Sequence, residues 1–154
     1  MPAEVRTSPF DPYEELRRYQ ERLPGGRAAA GATASFVGTM RDFNDGESVR
    51  AMTLEHYPGM TEKHLERIVA EARERWPIID ALVVHRVGPL APGDPIVLVA
   101  VWSAHRDAAF AACRYLIEEL KSRAPFWKKE ERASASRWVE RNTPAEGYAI
   151  EAKG

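Results

Sequence analysis

Apolar residues change their spacing several times along the chain, and each change marks an element. Asp11-Pro12 places a helix N-cap residue before a proline suited to the first helical position. It predicts a short helix over 12–22 that stops at Pro24-Gly25-Gly26. Over 30–41 the period shortens to two. Ala32, Ala34, Phe36 and Met40 fall on one face, and Thr33, Ser35, Val37, Thr39 and Arg41 on the other, the pattern of a half-buried strand. Asp42-Phe43-Asn44-Asp45-Gly46 has turn chemistry and leads into a second strand over 49–57, with Met52 and Leu54 inward. Thr61 is then an N-cap candidate for a helix ended by Pro77. Leu65, Ile68, Val69, Ala72 and Trp76 form its buried stripe. Strands are predicted over 79–87 and 96–102, on either side of Gly88-Pro89-Leu90-Ala91-Pro92-Gly93-Asp94-Pro95. The second is apolar throughout, as in a strand covered on both faces. A long helix over 106–123 is limited by Pro125, and a further strand is expected near 136–140. The order β-β-α-β-β-α predicts an α+β fold of two layers, with helices packed on a mixed or mostly antiparallel sheet. No repeat or linker divides the chain, so 1–154 is expected to form one domain.

Composition narrows the classes. With 44% hydrophobic and 29% charged residues the chain reads as an ordinary globular protein. No apolar run approaches the ~20 residues of a membrane helix. The N-terminus lacks the apolar stretch of a secretory signal, so a cytoplasmic location is expected. A formal charge of −1 gives no footprint for nucleic acid. One cysteine, Cys113, rules out an internal disulfide, and no histidine or cysteine spacing suits a transition metal. Cys113 shares a helical stripe with Phe110, Ile117 and Leu120, which reads as a buried thiol.

Local charge is more informative. Lys121, Arg123, Lys128, Lys129 and Arg132 crowd one short stretch against Glu130 and Glu131, which suits a small anionic ligand. Lys121 lies on the last turn of the predicted helix, where a cation also complements the helix C-terminus. Lys128 follows the rigid Pro125-Phe126-Trp127 segment, and a proline break can return it to Lys121. A lysine that is desolvated or set beside another cation loses its proton more readily and becomes a usable base or nucleophile. Ser103-Ala104-His105-Arg106 joins a strand to a helix, where backbone N–H groups and two cationic side chains suit phosphate. The same residues also serve as ordinary helix caps. Thr39, Met40 and Arg41 close a strand at the mouth of a turn, so Arg41 is either a ligand contact or a solvated strand end.

An ordered set of segments then resembles the molybdopterin synthase catalytic (large) subunit family. They are Thr53-Leu54-Glu55-His56-Tyr57-Pro58-Gly59-Met60-Thr61-Glu62-Lys63, His85-Arg86-Val87-Gly88, Pro92-Gly93-Asp94, Ser103-Ala104-His105-Arg106, Leu120 to Glu130, and Arg137-Trp138-Val139-Glu140. They span roughly residues 30–141, leaving 1–28 and 142–154 with little family signal. The resemblance implies an α/β-hammerhead fold and a homodimer within a heterotetramer. A small ubiquitin-like sulfur carrier, activated as a thiocarboxylate on its C-terminal Gly-Gly, would dock on each catalytic subunit. The implied substrate is cyclic pyranopterin monophosphate, which receives two sulfurs to form the dithiolene of molybdopterin. No metal or organic cofactor is implied. Family roles map onto Lys121 and Lys128 as catalytic residues, and onto Thr39, Met40, Arg41, His105 and Arg106 as substrate contacts. Members often carry a lysine where this chain has Thr39 and a histidine where it has Phe43. The competing reading is a non-catalytic module whose basic pocket holds a phosphorylated metabolite or an acidic tail.

Overall fold

The computed structural model describes residues 2–44, 47–132 and 136–139. In chain order the elements are β1 (Ala3–Arg6), α1 (Pro12–Glu21), a 3-10 turn (Arg27–Ala29), β2 (Ala32–Thr39), β3 (Phe43–Asn44), β4 (Glu47–His56), α2 (Met60–Arg75), β5 (Ile78–Arg86), β6 (Gly88–Leu90), β7 (Pro95–Ser103), α3 (Arg106–Arg123), β8 (Phe126–Arg132) and β9 (Ser136–Val139). The α+β class expected from the pattern is observed, with two sheets among the described residues. The first sheet runs β1-β5-β7-β2 and is mixed, because β1 joins β5 in parallel while the other pairs are antiparallel. The second runs β3-β4-β8-β9, with β6 also paired to β4.

The unbroken apolar run of β7 has a direct cause. Successive side chains of a strand point to opposite faces. Val97, Val99 and Val101 therefore enter the core beneath α2 and α3, whereas Leu98, Ala100 and Trp102 enter a second core beneath α1. Tyr19 of α1 stacks on Trp102 at 5.3 Å, and its hydroxyl donates to Asp80 at 3.0 Å. Most of the expected stripe of α2 is buried, with Leu65, Ile68, Val69 and Ala72 inside, while Trp76 falls just past the helix end and is partly buried. A third core, made by Met40, Met52, Leu54, Val87 and Leu90, lies where the second sheet meets the ends of β2 and β5.

Several expectations change. Helix α2 starts two residues earlier than an N-cap at Thr61 would place it. Gly59, at φ 83°, precedes it, and the Gly59 N–H donates to Glu62 at 2.7 Å. Thr61 is fully buried, and its hydroxyl accepts from the Tyr57 N–H at 3.1 Å and reaches the Pro125 carbonyl at 3.4 Å. The hydroxyl thus ties the helix start to the turn before β8 instead of capping the helix. Phe36 is 39% exposed rather than inward, because β2 is an edge strand and the ring lies beside Gly38, whose added Cβ would stand 3.3 Å from it. Phe110 is exposed and leaves the Cys113 stripe, while Ile117 and Leu120 stay in it. Strand β1 lies within the N-terminal stretch expected to carry little family signal. Arg6 on it makes a 2.8 Å ion pair with Glu15 of α1. The turn at 45–46 and the end of the expected strand at 140 fall outside the described residues.

Candidate active site

After α3 the chain turns at Ala124-Pro125 and runs back as β8 along β4. The two strands are in register with His56 opposite Phe126, Leu54 opposite Lys128 and Met52 opposite Glu130. Residues directly opposite in an antiparallel pair share a face. Phe126, Lys128 and Glu130 therefore lie on the face that carries Met52 and Leu54 into the third core. Lys121 approaches the same place from the last turn of α3. The sequence expectation that a proline break returns Lys128 toward Lys121 is met, although Lys128 sits on a strand rather than in a turn.

The electrostatics record this convergence. Burial, and secondarily the charge of Lys128, pulls Lys121 down to about 8. Lys128 is lowered by burial and by Arg41, against the opposing pull of Glu130. Glu130 is itself buried, at 3% exposure, so a carboxylate belongs to the same cluster. Arg41 arrives from the end of β2. Buried Met40 anchors that end, donating its N–H to the Asp94 carbonyl at 2.9 Å and accepting from the Gly93 N–H at 2.8 Å. Met40, Arg41, Asp42, Pro92 and Gly93 line an open cavity of about 480 Å³. Thr39, exposed, pairs with Pro95 at the edge of the first sheet. This is a basic recess beside a hollow, a suitable receptacle for an anion with an organic body.

His105 and Arg106 do not join it. They lie exposed at the start of α3, and Lys121 is fifteen residues further along the same unbroken helix, about 22 Å along its axis. His105 occupies the N-cap position but makes no side-chain cap hydrogen bond, so capping does not account for its imidazole. The Ser103 hydroxyl donates to the His105 carbonyl. Gly31 secures the same turn from below, since a Cβ there would stand 2.2 Å from the Ala104 carbonyl oxygen.

Two groups at the lysine cluster escaped the sequence reading. One is Glu130. The other is His85, buried at the end of β5 and stacked on Phe126 at 3.9 Å. The available signal was a lone imidazole following the apolar run Ala81-Leu82-Val83-Val84 of β5. Cys113 takes no part: its thiol is buried, reaches the Val99 carbonyl at 3.9 Å, and is pushed up to about 11 by burial.

Among known proteins, the family model described as "MoaE protein" matches residues 5–123, a span that ends before Lys128. A molybdopterin synthase catalytic subunit of Ralstonia nicotianae is 62% identical over 118 residues, covering 77% of this chain and 67% of that one. One from Pseudomonas aeruginosa is 52% identical over 140 residues, covering 91% of each. A crystal structure of molybdopterin synthase from Staphylococcus aureus superposes with a TM-score of 0.78 at 36% identity, covering 88% of this chain and 95% of that one.

Proposed function

Because the chain belongs to the MoaE protein family, we propose that it is the catalytic subunit of a molybdopterin synthase, acting as a sulfurtransferase on a phosphorylated pterin. The observation that carries this reading is the lysine pair. Lys121 and Lys128 share one half-buried, cationic recess, while the one thiol of the chain lies buried and protonated in the helix core. An enzyme with this distribution of groups receives its sulfur on another molecule. A small carrier protein whose C-terminal Gly-Gly ends in a thiocarboxylate meets that requirement, and cyclic pyranopterin monophosphate is the anion that the recess accommodates.

In each transfer a carbon–sulfur bond forms on the pterin as a carbon–oxygen bond at the same carbon breaks, its oxygen leaving as water or remaining on the phosphate. The bond between sulfur and the carrier's acyl carbon is then hydrolysed. Water supplies the oxygen that leaves the carrier as a carboxylate. This side of the site handles charge and protons. Arg41 and Lys128 hold the phosphate and the developing negative charge. Lys121, at about 8, is neutral in roughly a tenth of molecules at pH 7 and accepts the proton released as water adds.

His105 and Arg106 enter the same reading through a second copy of the chain. A pterin monophosphate is on the order of 10 Å long, so it does not reach both ends of α3 in one molecule. In a two-fold dimer, the start of α3 in one protomer completes the recess of its mate. The test is reconstitution with a thiocarboxylated carrier and the cyclic pterin, with dithiolene product as the readout. Wild-type chain should form product. Lys121→Ala and Lys128→Ala should each lose about 10²–10⁴-fold while still folding and binding the carrier. Near-normal turnover in both variants would refute the catalytic assignment and leave a binding module.

A further inference from the structure

One buried titratable group at the lysine cluster has no part in the proposed sulfur transfer. His85 is the penultimate residue of β5, is 2% exposed, and faces the helix layer by the alternation that places Ala81 and Val83 there. Two contacts fix its ring. Phe126 stacks on it, with centroids 3.9 Å apart and planes 15° from parallel. Nδ1 lies 2.9 Å from the Arg86 carbonyl. A carbonyl oxygen only accepts, so Nδ1 carries the proton and Nε2 keeps its lone pair. The ring is therefore set in plane, rotation and tautomer by groups that are themselves fixed, and Phe126 opens the strand that presents Lys128 two residues later.

We propose that His85 is a positioning residue for Lys121: a neutral imidazole whose Nε2 lone pair receives the lysine amine and whose ring, backed by Phe126, keeps water from behind it. This deepens the reading of the lysine pair as the reactive centre and rests on it. The charged and titratable groups facing His85 are Lys121 from α3, Lys128 from β8 and His56 from β4, each of which opposes a positive charge on the ring. Its neighbours across the sheet, Val5 and Val97, are apolar. Burial and these cations hold His85 down to about 3, far below Lys121 at about 8. The ring therefore stays neutral, and His85 acts as an acceptor that orients the amine rather than as a relay. His56 has a different setting. It lies 3.7 Å from Glu62 and is partly exposed.

The experiment reads Lys121 directly and needs neither carrier nor pterin. Limited acetylation with acetic anhydride across pH, followed by peptide mass spectrometry, gives the pH midpoint of Lys121 in the full chain. His85→Phe keeps the stacked ring and removes both nitrogens. Without the acceptor, the ammonium loses a partner and the Lys121 midpoint should fall below its wild-type position. Turnover in the reconstituted reaction should drop about tenfold or more through kcat, with KM little changed. His85→Gln offers an oxygen near the Nε2 position and should restore much of both, whereas His85→Asn, which mimics Nδ1, should not. The Gln and Asn pair also keeps the test decisive if His85→Phe does not fold. An unchanged midpoint in folded His85→Phe, or equal midpoints in His85→Gln and His85→Asn, would overturn the proposal and leave His85 as core packing. If reconstitution yields no dithiolene even with the wild-type chain, the sulfur-transfer reading fails while the acetylation result stands on its own.

Discussion

Mixing two inactive variants should restore activity to a level set by counting. Arg106→Ala keeps Lys121 but spoils the start of α3, and Lys121→Ala does the reverse. The residues stand about 22 Å apart along one helix, so neither chain carries both groups in a single recess. Equal amounts of the two chains, allowed to exchange, should give about half mixed dimers. A mixed dimer has one site with both defects and one with neither, since the intact Lys121 comes from one protomer and the intact Arg106 from its mate. About a quarter of all sites are then whole. The assay is dithiolene formation from thiocarboxylated carrier and cyclic pterin, with native mass spectrometry reporting the fraction of mixed dimers. Activity should rise from the residual level of either variant toward a quarter of wild type and scale with that fraction. If confirmed mixed dimers stay at the residual level, each recess belongs to one chain and Arg106 has another role.

Three further outcomes follow from the same geometry. Lys128→Met removes the smaller of the two causes that lower Lys121, so the acetylation midpoint of Lys121 should rise from about 8, by no more than half of the gap to 10.5; a fixed or lower midpoint would contradict the coupling. Because the neutral amine is the working form, the pH–rate profile of that variant should shift in the same upward direction. Cys113→Ala should keep sulfur transfer, and the native wild-type thiol should resist alkylation at neutral pH; a folded but inactive Cys113→Ala chain would make the thiol a participant. Gly31→Ala forces a Cβ to 2.2 Å from the Ala104 carbonyl oxygen and should cost about 1–3 kcal/mol in denaturant unfolding; unchanged stability would mean the 103–106 turn yields freely.

The spacing of apolar residues determined most of the elements, because periods of two and 3.6 are local properties of the chain. Helices α1, α2 and α3 and strands β2, β4, β5 and β7 were all readable in this way. Local chemistry was enough to single out Lys121, Lys128 and Arg41, and a proline break was enough to suggest that the lysines meet. Tertiary structure decided the rest. β1 holds two charged residues among four and becomes a strand through the edge of β5. β8, basic and lacking a clean alternation, becomes one through β4. Phe36 follows the inward pattern yet lies open, because burial at an edge strand depends on what stands opposite. His85 gave no periodic signal that separates a core imidazole from one beside two lysines. Its setting follows from the close of β5 meeting Phe126 at the start of β8, contacts between segments about forty residues apart. Spacing along the chain reports which face a residue takes, and only the packing of distant strands reports which charges it meets there.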